Sequence, residues 1–104
     1  MKIGAAVGCL THPHYQPPYE EAVRAIGRLG FDGVELIAHT AEDLSGYYTP
    51  DRVANLREMI RGEGLALTEF ILYSHAVAGL TDERAGERAR ALDVFERGLD
   101  VAGA

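Results

Sequence analysis

The chain has 104 residues, 47% of them hydrophobic and 25% charged, which suits one globular domain and excludes a large multidomain enzyme. Ten Lys and Arg against 16 Asp and Glu give a formal net charge of -6, a field that repels phosphate backbones and anionic lipid, so no nucleic acid and no membrane surface is expected as partner. The start holds no basic leader with a long apolar run, so neither a signal peptide nor a membrane span is expected, and the single Cys9 cannot close an internal disulfide, which makes the cytoplasm the expected compartment.

Lys2 to Gly8 (KIGAAVG) is a short apolar run ahead of a Pro-rich stretch and reads as the first strand. From Tyr19 to Leu29, Ala22, Val23, Ile26 and Leu29 form an apolar stripe, with Glu20, Glu21, Arg24 and Arg28 on the other side, so an amphipathic helix is predicted. Pro18 suits its first turn, and Gly30 followed by Phe31 reads as a left-handed cap with its hydrophobic contact. Val34 to Ala38 is the second strand. Thr49 and Pro50 start a second helix with the stripe Val53, Leu56 and Ile60, ending near Gly62 or Gly64. Leu65 to Leu72 is the third strand. Thr81-Asp82-Glu83 opens a third helix whose expected buried stripe is Leu92, Phe95, Leu99 and Ala102.

The order βαβαβα predicts an α/β fold with a parallel sheet. Gly4, Val34 and Leu67 begin comparable strands at separations of 30 and 33 residues. Eight such units fill a (βα)8 barrel of about 250 residues, so three need roughly 94. The chain has the length of a (βα)3 portion of a TIM-type barrel.

Connections from helix to strand are short, whereas those from strand to helix, Cys9 to Pro17, His39 to Tyr48 and Tyr73 to Leu80, are long. Ligands bind at that end of parallel α/β folds, outside the carboxyl ends of the strands. All four histidines, His12, His14, His39 and His75, fall in these loops together with Tyr15, Tyr47, Tyr48 and Tyr73. A ligand mouth of imidazole and phenol groups is expected, with His12, His39, Tyr73 and His75 as substrate-binding candidates. His12-Pro13-His14 has the HxH spacing of some metal-dependent hydrolase barrels, but Pro13 and the loop setting remove the strand alternation that would point both rings inward. His39 and His75 follow strands closely enough to reach over the barrel centre, for substrate or metal, or to be merely solvated.

Glu35 and Glu69 lie inside strands, where alternation sends Val34 and Leu36 to the helices and Glu35 to the opposite face. A carboxylate there is paired or has a raised pKa, which serves a structural network or catalysis. Cys9 is expected as a small buried residue, and Arg84, Arg88 and Arg90 as a solvated helix face.

KIGAAVG, the helix EEAVRAIGRLG running into FDGVEL, the crossover TPDRVANLREMIRGEGLAL and the ending LDVAGA resemble the xylose-isomerase-like TIM barrels, a superfamily of sugar and sugar-phosphate isomerases and epimerases with endonuclease IV-type relatives. The resemblance spans essentially the whole chain, and its most specific piece is Leu29 to Leu36. It implies a divalent metal (Mn, Mg, Co or Zn) at the barrel mouth that polarises a carbonyl and hydroxyl while paired glutamates move a proton. In the epimerase-like members the metal and acid/base residues come largely from later strands, so no catalytic or metal residue is carried over. In the endonuclease-like members a histidine after strand three binds metal, and His75 in LYSHAVAGL stands at that place.

Three strands with two open edges leave apolar surface and backbone uncovered. The expectation is an N-terminal portion of a longer isomerase or epimerase, inactive alone and contributing one wall of a sugar pocket. The alternatives are a small non-catalytic α/β binding module whose edges are covered by homo-oligomerisation, and an endonuclease IV-like hydrolase portion, which the negative charge disfavours.

Overall fold

The computed structural model describes residues 1–11 and 16–104. The chain is an α/β protein whose three parallel strands alternate with helices. The strands β1 (Gly4–Ala6), β2 (Gly33–Ala38) and β3 (Ala66–Leu72) lie in the order β1-β2-β3. The helices are α1 (Glu20–Arg28), α2 (Ala41–Gly46), α3 (Pro50–Gly62) and α4 (Ala85–Gly103). No helix among the described residues is long and apolar enough to cross a membrane.

The predicted punctuation is visible in the backbone. Gly30 has φ +85° and Gly64 φ +73°, and each is followed by the wide bond of a Schellman end, Phe31 N–H to Ile26 O at 3.3 Å and Leu65 N–H to Ile60 O at 3.0 Å. Thr49 accepts from Arg52 N–H and Pro50 occupies the first turn of α3. Pro18, by contrast, lies outside α1, whose N-cap is Tyr19.

Four expectations are corrected. The first strand is only Gly4–Ala6, because Val7–Leu10 wind into a 3-10 turn. The stretch after β2 contains α2, held by a capping box in which Thr40 accepts from Asp43 N–H and the Asp43 carboxylate accepts from Thr40 N–H. The last helix starts at Ala85: Thr81 closes a 3-10 turn, and Asp82 accepts from Arg84 N–H at 2.8 Å just before the helix. The buried face of α4 is the small one, Ala91, Val94 and Gly98, while Leu92, Phe95 and Leu99 are 50%, 41% and 58% exposed. A Cβ on Gly98 would stand 2.7 Å from Leu72 Cδ1, so α4 meets β3 closely and its bulky stripe faces outward.

The core lies between the sheet and the helices. Val23 and Ile26 of α1, Leu56 and Ile60 of α3, and Val34 and Leu36 of β2 are all buried in it, each contributing about 1.5–3 kcal/mol of transfer free energy. Val34 and Leu36 face the helices as alternation demands, with half-buried Glu35 between them. At the carboxyl end of the sheet the core becomes aromatic: Tyr47 meets Tyr19 edge-on at 5.2 Å, and Tyr48 meets Phe70 edge-on at 5.1 Å.

Candidate functional site

The parallel register pairs Ala38 with Leu72, so the next residues, His39 and Tyr73, leave the sheet side by side on the same face. The Tyr73 N–H donates to Ala38 O at 3.0 Å, which extends the pairing by one step. Asp43 fixes the other side: its carboxylate accepts from His39 N–H at 3.1 Å as well as from Thr40 N–H. A turn closed by Ala76 N–H to Tyr73 O at 2.8 Å then brings His75 back over the pair.

Three rings converge as a result. His39 and Tyr73 stack with centroids 5.0 Å apart and planes at 14°. His75 lies 5.5 Å from His39 and 5.2 Å from Tyr73, inclined at 61° and 57°. His39 is half-buried, whereas Tyr73 and His75 are exposed. Two imidazoles and a phenol offer both donors and acceptors, beside flat apolar faces. Such a surface can hydrogen-bond a polyol and stack against its C–H face.

Of the four substrate-binding candidates, the structure brings His39, Tyr73 and His75 together. His12 lies outside the described residues, as do His14 and Tyr15. Tyr47 and Tyr48 are corrected: they are buried core residues, 8% and 4% exposed, on the helix side of the sheet. The Tyr47 hydroxyl accepts from Tyr19 N–H at 2.9 Å and the Tyr48 hydroxyl donates to Ile37 O at 2.8 Å, so neither phenol serves a mouth. Cys9 is corrected too, being exposed. Arg84, Arg88 and Arg90 are exposed on α4 and its approach, as expected.

Glu35 and Glu69 form a second polar feature on the face that carries the rings. A bulge at Val34/Glu35 skips Thr68, whose hydroxyl donates to Val34 O at 3.1 Å, and sets Glu69 directly opposite Glu35. Lost hydration, then the hydrogen bond and charge of Glu69, push the Glu35 carboxyl above the usual carboxylate range. His39 lies four positions on from Glu35, about 13 Å along a strand, and the paired Ile37 and Ile71 lie between. The carboxyl pair lies beneath the ring cluster and does not join it.

Among the described residues no three His, Cys, Asp or Glu side chains stand together as a metal ligand set. His39 and His75 supply two imidazoles, short of the three or four protein ligands of a zinc centre. Sequence reasoning missed Asp43, which orients the His39 backbone; its signal was the Thr40-x-x-Asp43 spacing just after an apolar strand. Neither a model of a known protein family nor any curated protein matches the chain.

Proposed function

We propose that the chain forms three βα units of a TIM-type barrel of the xylose-isomerase-like class and contributes one wall of the pocket of a metal-dependent sugar or sugar-phosphate isomerase or epimerase. The observation that carries this reading is the convergence of His39, Tyr73 and His75 beyond the carboxyl ends of β2 and β3, the end at which such barrels bind ligands. The uncovered β3 edge and the outward row Leu92, Phe95 and Leu99 are the two surfaces that a further βα unit would cover.

In this role His39 and His75 bind sugar hydroxyls through ring nitrogens, and Tyr73 contributes a hydroxyl and an apolar face. Asp43 is a positioning residue that fixes the backbone from which His39 projects. The metal of this class would supply Lewis-acid polarisation of the carbonyl, but the described residues do not assemble its ligand set. The proton-transfer groups belong to other barrel units, so the 104 residues alone bind without turning over.

Calorimetric titration with xylulose 5-phosphate tests the reading. Weak one-to-one binding is expected, reduced about tenfold in His39→Ala and in Tyr73→Phe, as fits loss of one hydrogen bond. Binding unchanged by all three of His39→Ala, Tyr73→Phe and His75→Ala, or ketose-aldose interconversion by the chain alone, overturns it.

A further inference from the structure

The ring cluster meets its ligand in a field of one sign. From Ile3 to Val23, from Leu29 to Asp51 and from Gly62 to Glu83 the sequence has no Lys or Arg, and these stretches hold β1, β2 and β3 with the loops that follow them, up to Arg84. The face of the sheet that carries the rings bears the carboxyl pair Glu35 and Glu69 instead. Beyond β3 the first guanidinium groups are already engaged. Arg84 forks onto the Asp82 carboxylate through Nε at 3.0 Å and Nη2 at 3.1 Å, and Arg88 donates to the backbone oxygens of Asp82 and Glu83 at 2.8 and 2.7 Å. A phosphate is held by such cationic groups or by backbone N–H groups at helix ends, and the loops after the strands contain no Lys or Arg.

Backbone donors at the mouth are taken as well. Asp43 Oδ2 accepts from His39 N–H and from Thr40 N–H, each at 3.1 Å, so a carboxylate built into the chain occupies the donors that a phosphate oxygen would use. The Asp43 N–H turns onto Thr40 Oγ1 at 3.4 Å. After β3, the Ala76 and Leu80 N–H groups close turns on Tyr73 O and Val77 O. Exposed Glu42 places a second carboxylate in the first turn of α2. An anion arriving beside His39 therefore meets like charge, whereas a hydroxyl group, which both donates and accepts, pairs with imidazole and phenol without that repulsion.

We propose that Asp43 is a specificity residue that makes this wall select the uncharged, hydroxyl-bearing part of a sugar and leaves it without a phosphate subsite. A phosphate on the substrate is carried away from His39, Tyr73 and His75. The inference rests on the sugar-binding reading and adds to it which end of the sugar this wall receives.

The test is calorimetry on the whole chain with xylulose, xylulose 5-phosphate and inorganic phosphate, at about pH 8, where free imidazole is neutral. At low ionic strength xylulose is expected to bind about two- to fivefold more tightly than its 5-phosphate. That gap should close in about 1 M salt, where the Debye length falls to about 3 Å, and inorganic phosphate should not displace xylulose. Asp43→Asn keeps an oxygen for the His39 and Thr40 N–H groups and removes the charge, so it should narrow or reverse the gap. Glu42→Gln, at an exposed side chain of the same turn, should act in the same direction more weakly, and it decides if Asp43→Asn does not fold. Equal or tighter binding of xylulose 5-phosphate by the unaltered chain, or displacement of xylulose by inorganic phosphate, overturns the inference and leaves the sugar-binding reading standing. A preference for xylulose that neither variant changes overturns the role of Asp43. Failure of both sugars to bind overturns the inference and the reading together.

Discussion

Tyr47 links Tyr19 and Glu20, at the start of α1, to Arg52 of α3. Its hydroxyl accepts the Tyr19 N–H, its ring carries the Arg52 guanidinium 4.8 Å from the centroid, and Arg52 in turn holds Glu20 at 2.6 Å. Burial pushes the Tyr19, Tyr47 and Tyr48 phenols well above their ordinary value. For Glu20, burial acts upward, but the hydrogen bonds from Arg52, its own backbone and Tyr47, with the Arg52 charge, together outweigh it and hold the carboxyl below its ordinary value. Tyr47→Phe leaves the buried Tyr19 N–H without its acceptor, and urea denaturation should show a loss of about 1–3 kcal/mol. At the mouth, His39 and His75 are two imidazoles without a third ligand from the described residues. Zn and Mn titration of the chain should therefore show weak binding only. A stoichiometric submicromolar site that disappears in His75→Ala would show that these loops hold more ligands than His39 and His75. From the sequence, all the loop phenols looked alike. Only packing separates Tyr73, which projects beyond β3, from Tyr47 and Tyr48, which follow α2 into the core.

The bulge between β2 and β3 decides which side chains face each other. The separation of 33 that relates Val34 to Leu67 becomes 34 from Glu35 to Glu69, and no repeat visible in the sequence shows where that residue is inserted. Gly33 makes room for it: a Cβ there would stand 2.5 Å from Thr68 Cγ2 and 3.2 Å from Ala66 O. Gly33→Ala should push Thr68 off Val34 O and cost about 1–3 kcal/mol, read as a lowered denaturation midpoint. The carboxyl pair gives a pH signature. Glu35 has its folded pKa raised by lost hydration and by Glu69, so the folded state holds its proton more tightly than the unfolded chain does. Its contribution is favourable below the unfolded pKa of about 4.3 and is lost as pH rises through the folded value. Glu35→Gln should therefore raise the melting temperature at pH 7 and change it less at pH 4; a gain equal at both pH values would count against the pair. The caps, strands and helices with strong punctuation, Gly30, Thr49-Pro50 and Gly64, were legible because each motif acts within a few residues. The short α2 was not, since its six residues carry no periodic stripe.

At the scale of the molecule, α4 shows why the outward and inward faces were exchanged. The stripe Leu92, Phe95 and Leu99 is the more hydrophobic one, but Leu72 approaches so closely that Ala91, Val94 and Gly98 fit against the sheet instead. Phe95→Lys should leave stability within about 0.5 kcal/mol and reduce self-association in sedimentation velocity, whereas Val94→Ala, at a site 3% exposed, should cost about 1–3 kcal/mol. The α/β order and the placement of His39, Tyr73 and His75 at one end of the sheet were legible because alternating βα units fix which loops share an end. The direct test of that placement is an NMR titration of the chain with xylulose 5-phosphate that follows the His39 and His75 imidazole protons, the Tyr73 ring protons, and the methyls of Leu56 and Ile60 on the far face. Saturable shifts of the three rings with the methyls unmoved are predicted; shifts confined to the far face, or rings unmoved at saturating sugar phosphate, would contradict the account.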